Sequence, residues 1–418
     1  MRLSEPILIA GGGIGGLTAA LALRQRGLPV EVYERRRDRE IQLAGTGLTI
    51  WSNATTALGW LGLADEVGRY GVELRQVRNV SDNGKVIFKT PVQKYTWPGS
   101  LPGVSISRGD LVRMLLDACE AAGVPVHFGC GVTGYTLEPP GVRIKLEDGS
   151  TAAGALLIGA DGVRSAVHTT MKGEVKRVYT GLSAFRGLSE DEAGIEPHTA
   201  YLFESRAGVT GGAWRVSGGR MAWTFGRRAE AGEPDEVAGR KERVLAMLSA
   251  FTGKPRQIVA GTPAGSVLRT DIYYHEWDER WGEGPVTLIG DAAHAVPTVL
   301  GQGACQAIED AVVLADALAA ASDPVAGLRD YEARRVDRVR FIREKILSLM
   351  GLPKISNPVV LWLGRKLLRL VITLTQGKLW RTLQQPPQLV APAARVLADG
   401  AAATAGAPVP PSTSEAPK

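Results

Sequence analysis

The chain has 418 residues, 44% of them apolar and 22% charged, with a formal net charge of +6 and a pI near 9.2. That is an ordinary globular balance, long enough for two or three domains, and its basic residues form no blocks interleaved with aromatics, so no nucleic-acid partner is expected. Cys119, Cys130 and Cys305 and the scattered histidines His127, His168, His198, His275 and His294 show neither disulfide nor metal-ligand spacing, and Met1 to Pro6 is too short and polar for an export signal; a reducing, cytoplasmic setting without a metal is expected.

Ile7 to Ala10 reads as a short buried strand, followed at once by Gly11-Gly12-Gly13-Ile14-Gly15-Gly16 and an Ala/Leu helix to about Arg26. Gly27 stops that helix, and a second strand, Val30 to Tyr33, ends in Glu34-Arg35. This is GxGxxG in its strand-to-helix context: Gly11 permits the tight turn, Gly13 lets the backbone approach a pyrophosphate, and Gly16 lets helix and strand pack closely. Glu34 stands near the spacing at which an acid accepts from a ribose 2′-OH. It fits FAD or NAD and would repel the 2′-phosphate of NADP.

Gln42 to Asn53 is a Gly-rich loop leading into a strand and a helix that stops near Leu61-Gly62-Leu63, and Asp82-Asn83-Gly84 joins the alternating runs Val72 to Val80 and Lys85 to Thr90 as a hairpin. Ser107-Arg108-Gly109-Asp110 opens an amphipathic helix to about Ala122; Arg108 is either a surface residue at a helix start or a cation aimed at cofactor phosphates. A strand, Val124 to Phe128, and a hairpin pair, Val132 to Glu138 with Val142 to Leu146, precede a buried strand, Ala155 to Ala160, that ends in Asp161-Gly162-Val163-Arg164-Ser165.

From Tyr179 to about Thr270 the pattern changes to strands rich in aromatic and β-branched residues, interrupted by one helix at about Asp235 to Phe251. It reads as a mainly antiparallel sheet inserted into a nucleotide-binding domain, the natural place for a substrate pocket. Arg186, Trp214, Trp223 and Phe225 fall in it and either line that pocket or serve packing. A further buried strand, Val286 to Ile289, ends in Gly290-Asp291, and a turn with Pro297, Gly301 and Gly303 leads into a helix whose N-terminus suits an anion.

Pro324 to about Leu349 reads as a helix with a solvated charged face. Asn357 to Leu383 is a more apolar helix, but Arg365, Lys366 and Arg369 interrupt it, so it falls short of the ~20 apolar residues that span a bilayer. Such a segment can lie on a membrane surface, and packing on the nucleotide domain is the simpler reading. From about Gln385 the chain is rich in Ala, Pro, Ser and Thr and is expected to be disordered.

Three motifs in this order, GGGIGG with Glu34, GADGVRSAV (Gly159 to Val167) and GDAAH…P…GQGACQAIEDAVVLA (Gly290 to Ala315), resemble the class A, single-component FAD-dependent aromatic hydroxylases, the para-hydroxybenzoate hydroxylase-like family, nearest its salicylate hydroxylase and zeaxanthin epoxidase branch. The resemblance covers about residues 5 to 345, and GLTIWSNATTALGWLGL, SRGDLVRML and YTGLSAFRG add to it.

It implies a mixed α/β (α+β) fold: a Rossmann-type FAD-binding domain in two parts, 1–175 and 276–350, an inserted, mainly antiparallel substrate-binding sheet at 176–275, a C-terminal helix at 351–385 and a tail at 386–418. It implies that Gly13, Ile14, Gly15 and Gly16 hold the FAD pyrophosphate, and that Glu34, with Arg35 beside it, holds the adenosine ribose. Thr49 and Arg108 would touch the flavin or its phosphates, the Val132 backbone the adenine, and Asp161 both FAD and the nicotinamide cofactor. Asp291 would hold the ribityl chain or pyrophosphate, while Pro297, Gly301, Gly303 and Ala304 shape the loop that brings backbone N–H groups to the flavin pyrimidine edge.

The activity implied is reduction of FAD by NADPH or NADH, reaction with O2 through a flavin C4a-hydroperoxide, and transfer of one oxygen atom to a small organic, aromatic or polycyclic substrate; no obligatory nucleophile is expected. An epoxidase or reductase acting on an unsaturated, lipid-like substrate is the alternative. A flavin-dependent halogenase is disfavoured by the lack of a WxWxIP segment. Two departures stand out: Pro297 lies three residues after His294 where the family commonly has proline at the fourth, the place of Thr298, and Cys305 stands where the best-studied hydroxylase has Asn.

Overall fold

A computed structural model describes residues 5–39, 46–350 and 376–390. Most of the expected C-terminal helix, with Arg365, Lys366 and Arg369, most of the expected tail, and residues 42–45 of the Gly-rich loop lie outside the described residues. Among the described residues no helix is long and apolar enough to cross a membrane.

The first sheet has the strand order Gly282–Glu283, Val286–Leu288, Leu156–Gly159, Ile7–Ala10, Val30–Glu34, Val126–Phe128, and every pair is parallel except the antiparallel edge at Gly282–Glu283. Its central strands, ILIA and LLIG, are apolar at nearly every position because both faces are covered, as a parallel sheet requires. Helix Ile14–Gln25 packs on it between helices Arg108–Ala121 and Gly303–Ala320. Three apolar strand ends, Ala10, Gly159 and Leu288, therefore lie side by side, and the loops that follow them converge at one edge.

The second sheet has seven strands in the order Leu268–His275, Arg177–Ser189, Met221–Arg228, Thr210–Arg215, Thr199–Glu204, Gln76–Ser81, Val86–Thr90. The expected hairpin around Asp82-Asn83-Gly84 thus belongs to this sheet. It joins through the one parallel pair, Thr199–Glu204 with Gln76–Ser81, so the sheet is not the contiguous insertion 176–275 read from the sequence. Local alternation could not reveal this, because it marks a strand without naming its partner.

Alternation gives this sheet two unlike faces. Phe185, Tyr201, Phe203, Ala213, Trp223 and Phe225 point to one side and form a separate core with Val244, Phe251 and Ile258. The other side carries Ala184, Arg186, Thr210, Gly212, Trp214, Thr224 and Gly226 and faces the first sheet's loops. The helix expected at Asp235 to Phe251 spans only Arg240–Met247, and a second helix, Lys254–Ala260, follows beyond the expected end. Gly253, at φ +74°, breaks the run before Pro255, and the Thr252 N–H donates to Asp82 O at 3.0 Å, tying the break to the hairpin.

Candidate active site

Two glycines of the first loop leave no room for a side chain. At Gly11, φ is +105° and a Cβ would lie 2.5 Å from Ala160 O; at Gly16 a Cβ would stand 1.9 Å from Gly11 O. Gly16 therefore packs helix against strand and does not border the cavity described below, unlike Gly13, Ile14 and Gly15. Among the described residues nothing stands within 4 Å of the Cβ direction at Gly13 and no side chain caps the helix that follows, which leaves its first N–H groups facing the cavity side of the loop. Glu34, 4% exposed, fixes the loop from behind: its carboxylate accepts from Gly12 N (2.8 Å) and Arg36 N (2.9 Å).

Beside it stands the turn after Leu156–Gly159. The Asp161 carboxylate accepts from Ser165 Oγ, Ala166 N and Val167 N, capping helix Ala166–Lys172 while bordering the cavity. The His168 ring donates from Nδ1 to Ala292 O (2.7 Å) and the His275 ring from Nε2 to Val163 O (3.0 Å), so two buried histidines clamp this turn to the Asp291 turn. Burial holds both below the ordinary histidine range, His275 at about 4. Asp291 faces the cavity, and the surrounding protein pushes its carboxyl upward.

The loop from Pro297 to Gly303 closes the third side. Pro297 is followed by a tight turn, Thr298–Leu300, and Thr298 O accepts the Gly301 N–H (3.1 Å), so with proline one position early the turn closes on the Thr298 carbonyl. Gly301 is left-handed at φ +62°, and a Cβ there would lie 2.4 Å from Thr49 Oγ1. Trp51 holds the loop from outside: its Nε1 donates to Leu300 O (2.9 Å) and its backbone N–H to Cys305 Sγ (3.3 Å). The departure at Cys305 thus has a physical role as a fully buried thiol, pushed up to about 12 by burial, that receives the N–H of Trp51, the residue between the strand Gly47–Ile50 and the helix after it.

Behind this loop lies a network that the sequence reading missed. Arg335, 2% exposed, donates from Nη1 to Glu309 (2.5 Å) and from Nε to Asp310 (2.7 Å). The other Asp310 oxygen accepts from Gly290 N (2.8 Å) and His294 Nε2 (2.7 Å), while Glu309 accepts from Asn53 Nδ2 (2.6 Å) and Gln306 Nε2 (3.0 Å). Burial opposes the Asp310 charge, but His294 and Arg335 prevail and hold it at about 2. The only sequence signal was two adjacent acids inside an apolar helix, with YEARR one helix later.

These loops and the small-residue face of the second sheet enclose a continuous cavity of about 1220 Å³. It exceeds the roughly 300–1,000 Å³ of a pocket for one drug-sized ligand. Of the residues singled out from the sequence, Gly13, Ile14, Gly15, Glu34, Arg35, Thr49, Arg108, Val132, Asp161, Asp291, Pro297, Gly301, Gly303 and Ala304 line it. Burial first, then neighbouring Arg36, pulls the Arg108 guanidinium below its ordinary value. Arg186 and Trp214 face the cavity, whereas Phe225 lies in the opposite core and Trp223 is 1% exposed, spending its indole N–H on Thr262 Oγ1 (2.8 Å). The donors fit an extended dinucleotide: uncapped helix ends at Gly13 and Gln302, an open approach at Gly13 and Gly303, and cations at Arg35 and Arg108.

Comparison with known proteins agrees with this arrangement. Residues 4–344 match the family described as FAD binding domain. The chain is 32% identical over 372 residues to the aurachin C monooxygenase/isomerase of Stigmatella aurantiaca, covering 89% of this chain and 95% of that one. It is 32% identical over 338 residues to an FAD-dependent urate hydroxylase of Klebsiella pneumoniae, covering 80% and 86%. It is 33% identical to the chloroplastic zeaxanthin epoxidase of Solanum lycopersicum, of which it spans about half (53%). Among solved structures, Klebsiella pneumoniae HpxO complexed with FAD and uric acid superposes with a TM-score of 0.80 at 29% identity, covering 91% of this chain and 97% of that one. The chain belongs to the FAD binding domain family, within the class A FAD-dependent monooxygenases.

Proposed function

We propose that this protein consumes NADPH or NADH to insert one oxygen atom of O2 into a small organic, aromatic or polycyclic substrate. The observation that carries the proposal is the continuity of the cavity from the Gly11–Gly16 loop to the small-residue face of the second sheet, which gives a dinucleotide and a second molecule a common space. When bound, FAD supplies the redox chemistry, taking two electrons from the nicotinamide and passing one oxygen atom from O2 to the substrate while the other leaves as water.

The chain's own residues bind, orient and exclude water. In this reading the N–H groups at Gly13 to Gly15 and the Arg108 cation hold the pyrophosphate, while Glu34 and Arg35 flank the adenosine ribose and Val132 its base. Asp291 takes a hydroxyl or phosphate of the chain between. The start of helix Gly303–Ala320 would offer its N–H groups to the flavin edge that gains negative charge on reduction, where a helix N-terminus is stabilising. Residues 1–175 without the 76–90 hairpin, and 276–350, form the cofactor half, and 176–275 together with the 76–90 hairpin form the substrate half. A relative solved with both FAD and uric acid supports an organic substrate held with the flavin.

The test is to reconstitute the purified protein with FAD and add NADPH or NADH, first without and then with O2, in the presence of a panel of phenolic and heteroaromatic compounds. Flavin bleaching accelerated by one compound class, followed by transfer of label from 18O2 into that compound, is the expected result. Failure to bind FAD, or flavin turnover that yields only hydrogen peroxide with every compound, would refute it.

A further inference from the structure

Helix Gly303–Ala320 begins without a side-chain cap, and the residue before it, Gln302, is fully buried and does not border the cavity. Its Oε1 accepts from Gln306 Nε2 (3.0 Å) and Asn53 Nδ2 (3.3 Å), and its Nε2 donates to Leu383 O (3.4 Å). Arg338 reaches the same carbonyl (3.2 Å), together with Thr382 O (2.6 Å) and Gln385 O (3.2 Å), and also donates to Glu309 (3.5 Å). Glu309 in turn accepts from Asn53 and Gln306. The bonds close a ring that runs from Gln302 through Asn53, Glu309, Arg338 and Leu383 O back to Gln302. Four separate stretches of chain meet in it, and the last of them is the C-terminal segment at 380–385.

Apolar packing presses the same segment onto the same loop. Leu383 is fully buried with Ile342 and Ile346, and Val296, Leu300 and Trp380 pack against them. Val296 and Leu300 bracket Pro297 and Thr298, and Trp51, edge-on to Trp380, donates to Leu300 O. On the other side of Gln302, Gly301, Gly303 and Ala304 line the cavity, and a Cβ on Gly303 would meet nothing nearer than Asp291 Oδ1 at 3.9 Å. One residue therefore lies between the cavity and the C-terminal segment. Peptide units are rigid planes, and the Gln306 N–H fixes the Gln302 carbonyl at 2.8 Å, so a shift of Gln302 carries the N–H groups of Gly303 and Ala304 with it.

We infer that Gln302 is a positioning residue for the flavin, and that the chain's own segment 380–385 sets its place through Leu383 O and Arg338. The inference rests on the reading that the start of helix Gly303–Ala320 meets the flavin edge that gains negative charge on reduction, and it adds what aims those N–H groups. A helix N-terminus stabilises a developing anion only while its N–H groups stay directed at it. Loosening the ring therefore disfavours the reduced flavin, although no member of the ring borders the cavity.

The test takes the FAD-reconstituted full chain and its variants and reads the flavin midpoint potential by anaerobic dye equilibration, with thermal unfolding in parallel. Gln302→Met keeps the side chain's length but none of its hydrogen bonds, and every former partner keeps another: Asn53 and Gln306 keep Glu309, and Leu383 O keeps Arg338. The variant is expected to lose about tenfold in its preference for reduced over oxidised flavin, about 30 mV for a two-electron couple. Arg338→Met should move the potential the same way, and the double variant no further than the larger single, because both act through one ring. Arg334→Met is the control. Arg334 also anchors the C-terminal segment, at Gln388 O (2.8 Å), but touches no member of the ring, so its loss should lower the melting temperature and leave the potential unchanged. A wild-type potential in Gln302→Met, additive shifts in the double variant, or an equal shift in Arg334→Met would overturn the inference. Should Gln302→Met lose its FAD, the comparison of Arg338→Met with Arg334→Met decides the question. If the wild type retains no FAD, the cofactor reading itself fails; if it binds FAD and every variant shares its potential, only the positioning role fails.

Discussion

Gly13 and Gly16 stand three residues apart in one loop and should answer oppositely to the same substitution. Gly16→Ala drives a Cβ to 1.9 Å from Gly11 O, backbone against backbone, and is expected to cost at least the ~1–3 kcal/mol of an overpacked core. Gly13 has ordinary extended torsions (φ −77°, ψ −174°) and open space before it, so Gly13→Ala should leave the urea midpoint nearly unchanged while weakening FAD about tenfold or more. Equilibrium unfolding with and without FAD separates the two. Cys305 offers a second check at this scale. It and Cys119 are fully buried with thiols pushed up to about 12, so maleimide at pH 8 should label Cys130 alone until denaturant is added. The glycine pattern was legible from spacing, since turn and close-approach constraints are local. The role of Cys305 was not, because its partner, Trp51, lies 254 residues away in the chain.

At the scale of elements, the loop that follows Val286–Leu288 is held by charges from two long helices. Arg335→Met would remove the cation shared by buried Glu309 and Asp310, leaving Glu309 only Arg338 at 3.5 Å and Asp310 only His294, and a loss of about 3–5 kcal/mol is expected. Because Asp310 also receives Gly290 N, apparent FAD affinity should fall with it. Thermal unfolding measures the first effect and flavin titration the second. The clamp between the Asp161 and Asp291 turns has a pH signature. Burial, with His168, His294 and Arg177 nearby adding to it, lowers the folded His275 to about 4 against an ordinary 6.5, so the unfolded chain binds the extra proton first. Stability is full above about pH 6.5 and falls as pH drops toward 4, by on the order of 3 kcal/mol. His168, also lowered by burial, adds to the same slope. His275→Gln, which keeps a donor for Val163 O, should flatten the dependence of the urea midpoint between pH 7 and 5; an unchanged slope would show the charge is borne elsewhere.

At the scale of the molecule, the segment 376–390 closes the cavity wall from outside. Trp380 lies edge-on to Trp51 at 4.8 Å and borders the cavity, Trp97 Nε1 donates to Arg381 O (2.7 Å), Gln384 reaches Val92 O (2.9 Å), and Arg338 donates to Thr382 O (2.6 Å). A chain ending at residue 375 is expected to melt several degrees lower and to release more hydrogen peroxide per NAD(P)H, as water reaches the loop at Thr298–Leu300; calorimetry and a peroxidase assay would show it.

The sequence by itself determined the nucleotide fold, the strand-end acids and the loop glycines, because each rests on short-range constraints: apolar runs that demand two covered faces, and turns that only glycine can make. It also determined the family, through the order of three motifs. Tertiary structure alone decided that the 76–90 hairpin completes the second sheet and that Glu309, Asp310 and Arg335 form one buried network. It also decided that Arg186 and Trp214 share the cavity while Trp223 and Phe225 fill the opposite core. In each of these the deciding quantity is which surface a residue meets, and that depends on strand partners and helices far off in the chain.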